Sequence, residues 1–306
     1  MSQQARLESA ARRDVVGGIL VAAASLQFGT VVVLGKRVLE RGLPVESMLA
    51  YRFGTAALAL TATLLLTRRP VLAASGERLG LALLSLFGYA VEATFFFVAI
   101  EHGTAAAVTL LFFTYPVFVT LGSWLVGRGA PARLTLVALA CAVLGAGIVA
   151  GTGAGLAVDG TGIAFALASA ITFSGYLVGT DLVLRRTAAL TSAAWVSGGA
   201  SAGLFAFALL TGRYGSPQVA ADWWSIVAMG VASAGAFACL LSGIQRIGAV
   251  RTAIVSATEP LSATFLGFVF LGESVGVGTA LGGMLILAGA VVASMARAAA
   301  PERQVP

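Results

Sequence analysis

The chain is cut into apolar blocks of roughly 20 residues, separated by short segments that carry most of its charge. A helix of that length matches the hydrocarbon core of a bilayer. In lipid every backbone N–H and C=O needs an internal partner, so single blocks of this kind must be helical. Ten can be placed, at about 15–35, 45–67, 79–100, 104–126, 133–151, 161–183, 191–211, 223–245, 249–271 and 276–296. The fold class this predicts is all-α: a polytopic membrane protein of ten transmembrane helices. Composition agrees, because 58% of the 306 residues are hydrophobic and only 10% are charged, against about 25% charged in a soluble domain. That shortage excludes disorder, a nucleic-acid module and nearly every soluble enzyme.

The few charges orient the chain. With a cytoplasmic N-terminus, the inner segments hold fourteen basic residues: Arg6, Arg12, Arg13, Arg68, Arg69, Arg78, Arg128, Arg133, Arg185, Arg186, Arg246, Arg251, Arg297 and Arg303. The outer segments hold four, Lys36, Arg37, Arg41 and Arg213, and Arg52 lies within the second block. Basic residues collect in cytoplasmic loops, so both termini are expected inside. The net charge of +6 then reports topology rather than a polyanion partner. The first block lacks a cleavage site and reads as a retained span. Lys36 is the only lysine against eighteen arginines, a codon bias that suggests a GC-rich bacterium and hence its inner membrane.

The two halves resemble each other. At an offset of 145, Asp14 meets Asp159, Gly17 meets Gly162, Phe28 meets Phe173 and Arg41 meets Arg186. At 144, Thr114-Tyr115-Pro116 meets Thr258-Glu259-Pro260, and Gly145-Ala146 meets Gly289-Ala290. The expected units are 1–151 and 159–297, each of five spans. Five is odd, so the second copy is inverted, as in many secondary transporters. Two inverted copies that exchange shapes turn an outward-open cavity into an inward-open one.

Ten spans in two such repeats, with both ends inside, resemble the EamA-type ten-helix exporters of the drug/metabolite transporter (DMT) superfamily. The most specific stretch is Glu259-Pro260 followed by Phe270-Leu271-Gly272-Glu273, which is similar to the family's Glu-Pro…Leu-Gly-Glu pattern. The first half keeps Tyr115-Pro116 but has Val126-Gly127-Arg128-Gly129 where the matching Gly-Glu would fall. Arg52, in Ala50-Tyr51-Arg52-Phe53, resembles an arginine common near the start of the family's second span. Within the family the likeness is greatest to the YddG-type exporters of aromatic and other amino acids. The resemblance implies efflux of such small metabolites.

Candidate site residues follow from their cost in lipid. Glu92 and Glu259 are carboxylates in span interiors, where an ionisable group marks a cavity or a partner. Pro116 and Pro260 break the helical ladder in corresponding spans and are candidate hinges. Gln27, Tyr89, Phe96, Tyr115, Tyr176, Trp195 and Ser256 are further candidates for a substrate cavity, aromatic faces suiting a hydrophobic side chain. Ser174 and Ser197 are polar positions in otherwise apolar runs. Trp223 and Trp224 read as an interfacial belt. Asp181/Arg185 and Arg37/Glu40 have the spacing of local helix-surface pairs. Small-residue pairs such as Gly147/Gly151, Gly175/Gly179 and Gly278/Gly282 suit close helix packing. Spans five and ten, the most uniformly apolar, are expected at the periphery.

Cys141, Cys239 and the single His102 leave no set for a metal centre. Gly151-Thr152-Gly153-Ala154-Gly155 lacks the lysine of a phosphate loop and reads as a linker. No cofactor is expected. The partners are a small-molecule substrate and the lipid bilayer, with no nucleic acid, and a monomer suffices. The expected activity is export of amino acids, aromatic or hydrophobic ones included, by alternating access. The alternative is a proton-coupled multidrug or cation exporter using Glu92 or Glu259. A membrane-embedded enzyme or a channel is more remote.

Overall fold

The computed structural model describes residues 3–125, 133–151, 158–256 and 258–298. Among them the chain forms helices joined by short turns, and no strand longer than the isolated Gly103–Val158 bridge occurs. We number the helices α1 (Gln3–Glu40), α2 (Val45–Leu66), α3 (Arg78–Glu101), α4 (Ala105–Phe112), α5 (Tyr115–Leu125) and α6 (Arg133–Gly151). The second half holds α7 (Gly160–Val183), α8 (Ala189–Leu210), α9 (Ala220–Ser256), α10 (Thr258–Leu271) and α11 (Val277–Ala298). Among the described residues six helices are long and apolar enough to cross a membrane, and three shorter apolar ones span 105–119, 258–271 and 277–289. The chain is thus an all-helical, multi-pass membrane protein.

Three elements differ from the sequence expectation. The fourth block is two helices, α4 and α5, with a break at Phe113-Thr114. The turn expected near 246–248 is absent, and α9 runs unbroken to Ser256. Residues 246–256 contain no proline, so nothing there interrupts the ladder. Both candidate hinge prolines therefore lie in the first turn of a new helix, Pro116 in α5 and Pro260 in α10. There a missing N–H costs nothing, because first-turn amides have no intrahelical partner. Arg185 lies beyond the end of α7, which stops at Val183, and its expected pair with Asp181 falls on a side chain outside the described residues. Arg37 turns instead to Phe270, stacking on its ring at 5.7 Å and donating to its carbonyl. Residues 126–129 and the linker 152–155 lie outside the described residues, as do the side chains of Asp181 and Pro116.

The helices pack as α1 on α9 and α10, α2 on α8, and α3 on α7, with α6 and α11 paired beside them. The α6–α11 contact rests on Gly145. A Cβ there would lie 2.6 Å from the Gly282 carbonyl oxygen and 2.9 Å from the Ile286 amide. Backbone cannot yield as a flexible side chain does, so small residues are needed where helices touch. Gly145→Leu should cost about 2–3 kcal/mol, read as a loss of monodisperse protein in detergent.

Both ends of the bundle are clasped. At one end buried Glu77, heading α3, accepts from the amides of Arg185 (2.8 Å), Arg186 (2.7 Å) and Thr187 (2.9 Å) and from the Thr187 hydroxyl (2.6 Å). At the other, Asp222 pairs with Arg41, and Glu46 with Arg213 at 2.9 Å. The Thr187 hydroxyl foremost, then the Arg185 amide, hold the Glu77 carboxyl down to about 2. Because the folded value is depressed, this stabilisation is complete above the ordinary carboxylate range and is lost as pH falls towards about 2. Melting in detergent should therefore drop between roughly pH 7 and pH 3. Glu77→Gln should lower the pH 7 value and remove part of that drop.

Candidate functional site

A cavity of about 350 Å³ lies between α1, α2, α3, the α4–α5 break, α7 and α9–α10. Its size falls in the usual range for small-molecule sites, roughly 300–1,000 Å³. Tyr89, Glu92, Phe96, Tyr115, Tyr176, Ser256 and Glu259 line it together. Gln27 and Trp195 stand outside its wall. The Gln27 amide nitrogen donates to the Ala23 carbonyl at 3.0 Å, beside the Cys239 sulfur at 3.9 Å. The Trp195 indole N–H donates to the Val71 carbonyl at 2.9 Å, tying α8 to the α2–α3 loop.

Local backbone irregularities aim these side chains. In α3 residues Leu84–Tyr89 widen into a π-helical turn that ends at Tyr89, just before Glu92. Such turns are rare and frequent at functional sites. Gly88 lets Tyr176 approach, since a Cβ there would sit 3.1 Å from the Tyr176 ring. The Tyr89 and Tyr176 rings then meet at 5.3 Å.

The two helix breaks supply the opposite wall. Before each one a threonine hydroxyl donates three residues back, Thr114 to the Leu111 carbonyl at 2.8 Å and Thr258 to the Val255 carbonyl at 2.7 Å. The residue after each threonine, Tyr115 or Glu259, lines the cavity. The Ser174 hydroxyl lies 2.9 Å from the Tyr115 carbonyl and 2.6 Å from that of Ala170 in its own helix, so α7 meets the start of α5 at the first break.

The walls are aromatic. Tyr115 meets Phe173 edge-on at 5.0 Å, Phe112 meets Tyr115 at 5.4 Å, and Phe28 meets Phe237 at 5.8 Å. Phe28 and Phe173, which coincide at the 145-residue offset, both line the cavity.

Three ionisable groups share this apolar space. Glu92 is 7% exposed, and its Oε1 accepts from the Ser169 hydroxyl at 3.2 Å. Glu259 stands in the first turn of α10, where the helix dipole favours a negative charge. Arg52 is 5% exposed. Its Nε donates to the Ser233 hydroxyl at 3.1 Å, and its guanidinium lies 4.7 Å from the Phe53 ring centre and 5.6 Å from that of Phe97. Among the described residues no carboxylate comes within 4 Å of it. Sequence reasoning marked Arg52 only as a family-like residue. It lies within the second block, and the packing of α2 against α9 places it in the cavity wall.

Comparison with known proteins shows the family and the fold. The model of the EamA-like transporter family matches residues 15–151 and again 160–295. The chain is 25% identical over 223 residues to a Salmonella typhimurium protein described as an uncharacterized inner membrane transporter, YicL, covering 72% of this chain and 74% of that one. It is 27% identical over 211 residues to an uncharacterized transporter of Archaeoglobus fulgidus, covering 69% and 74%. A solved structure superposes with a TM-score of 0.64 at 20% identity, covering 90% of this chain and 98% of the other, which concerns the fold alone. The two matched segments span nearly all of the helical bundle that encloses the cavity, and the chain belongs to the EamA-like transporter family of membrane transporters.

Proposed function

We propose that the protein is a secondary carrier of the bacterial inner membrane that exports amino acids, aromatic and hydrophobic ones foremost, by alternating access. The observation that carries this reading is the cavity's charge pattern. One buried guanidinium and two carboxylates face a common aromatic-walled space of about 350 Å³. A zwitterion satisfies both signs at once: its carboxylate meets Arg52, its ammonium meets Glu92 or Glu259, and its side chain fills the aromatic box. An uncharged metabolite would leave the buried charges uncompensated.

The same family model matching twice supports a duplication into units 1–151 and 159–297, and the odd span count of each inverts the second. In this reading ten spans place both termini in the cytoplasm. The paired Thr-x-Pro breaks are the hinges of exchange, with Pro116 and Pro260 starting the mobile halves. The resemblance of the sequence to YddG-type exporters of aromatic amino acids fits this reading.

Purified protein in liposomes preloaded with one unlabelled amino acid should take up the same labelled amino acid by counterflow, fastest for aromatic ones. Absence of exchange for every amino acid overturns the reading. Two carboxylates in one cavity also suit a proton-coupled cation exporter. That reading expects uptake of organic cations driven by an imposed pH gradient and lost in Glu92→Gln or Glu259→Gln.

A further inference from the structure

Helices α2 and α8 end in the same kind of turn, with one difference. Thr67-Arg68-Arg69 after α2 and Thr211-Gly212-Arg213 after α8 coincide at the 144-residue offset. In each, the threonine amide bonds back four residues, Thr67 to the Thr63 carbonyl and Thr211 to that of Phe207, both at 3.0 Å. The next residue then turns left-handed, Arg68 at φ +52° and Gly212 at φ +69°. Glycine takes that conformation freely, whereas a residue with a Cβ is strained by it. Among the described residues Arg68 is the one non-glycine with a positive φ. Strain kept where glycine would relieve it points to a task for the side chain.

Four more arginines share that end of the bundle: Arg69 beside it, Arg78 in the first turn of α3, and Arg185 and Arg186 after α7. All five are exposed. The segments that carry them are stitched together. Besides the Glu77 bonds to residues 185–187, the Thr187 hydroxyl accepts from the Ala74 amide at 3.1 Å, and the Thr191 hydroxyl donates to the Pro70 carbonyl at 2.7 Å. Glu77 meets the backbone amides of Arg185 and Arg186. Even with Glu77 and Asp181 counted in full, five arginines against two acids leave three positive charges. At the opposite end the residues equivalent to Arg69 and Arg186 each meet an acid, Arg213 with Glu46 at 2.9 Å and Arg41 with Asp222. The position matching Glu46 is Leu190, so that pair has no analogue for Arg69. Leu65, Leu66, Leu72 and Leu79 border the arginines and are 63–85% exposed.

We propose that this surface holds an anionic phospholipid, with its phosphate among the five guanidinium groups and its acyl chains along the exposed leucines. Guanidinium forks suit phosphate oxygens, and mounting them on cross-linked loops lowers the cost of ordering them. A soluble polyanion would match the charge but leave the leucines uncovered, whereas a lipid meets both. The left-handed turn fixes where the Arg68 side chain leaves the end of α2, beside Arg69. The inference needs only a membrane protein. It depends neither on the substrate nor on which side of the bilayer this end faces.

The test titrates protein purified in a neutral detergent with phosphatidylglycerol or phosphatidylcholine and counts bound lipid by native mass spectrometry. Phosphatidylglycerol is expected to bind about ten-fold more tightly or better, and less so as salt rises. Arg68→Gly should weaken it about five-fold, the factor for one basic residue near an anionic headgroup. Its melting temperature without added lipid should hold or rise, because glycine relieves the turn. Arg69→Gln should weaken lipid binding to a similar extent and leaves the turn unchanged, so it serves if the glycine variant does not fold. Arg133→Gln, which removes one charge at the start of α6, should change binding less than about two-fold. Equal affinity for the two lipids overturns the proposal. So does an equal loss in Arg133→Gln and Arg68→Gly, which means diffuse charge. A lowered melting temperature in Arg68→Gly with the lipid preference intact assigns Arg68 to the fold alone and overturns it as well. Displacement of phosphatidylglycerol by millimolar inorganic phosphate would make this a free-ion site and would likewise overturn the lipid assignment.

Discussion

Arg52→Gln is expected to weaken amino acid exchange by about 10- to 100-fold, the cost of losing a hydrogen-bonded charge partner in a dry site. The guanidinium is held by the Ser233 hydroxyl through Nε and backed by the Phe53 and Phe97 rings. Its terminal nitrogens remain for a bidentate carboxylate. Arg52→Lys should not restore exchange, because an ammonium offers neither the fork nor the stacking plane. The diagnostic readout is a ratio. A decarboxylated amine, which never used Arg52, should compete against labelled amino acid relatively better in Arg52→Gln than in the unmodified protein. Equal losses for amino acid and amine would assign Arg52 a structural role only.

Glu92→Gln is the mirror experiment, with a comparable loss of about 10- to 100-fold. Glu92 is the better ammonium partner of the two carboxylates. Glu259 is already favoured by the α10 N-terminus, while Glu92 has only the Ser169 hydroxyl beside it. Here the des-amino acid should compete relatively better than the amino acid, since a site built to bond a group penalises analogues that lack it. If Glu259→Gln alone shifted that ratio, the ammonium would belong at α10. Exchange lost only under an imposed pH gradient would point to proton coupling.

Much of this was legible from residue order. The apolar blocks showed a membrane bundle, because the bilayer constrains length and polarity more tightly than water does. The lone carboxylates at Glu92 and Glu259 were conspicuous for the same reason. The aromatic candidates were harder, because a tyrosine or tryptophan in a span looks alike whether it faces a cavity, a loop or lipid. Tyr89 and Trp195 illustrate this: one lines the cavity, the other ties α8 to the α2–α3 loop. The breaks before Pro116 and Pro260 were read as mid-helix kinks, since a proline in an apolar run looks the same in either case. What distinguishes them is the threonine two residues earlier, whose hydroxyl takes up a carbonyl left by the ending helix.

By itself the sequence determined the helical membrane class, the family resemblance and the two costly carboxylates, because each depends on residue type against a uniform solvent. Only the tertiary structure decided that Arg52 shares their cavity, that Gln27 and Trp195 do not, and that Glu273 reaches Lys36 across 237 residues of chain. Those outcomes depend on which helix faces which and at what rotation. The π turn in α3, the small residues at Gly88 and Gly267, and the left-handed turn at Gly272 set them through close packing, which no single segment encodes alone.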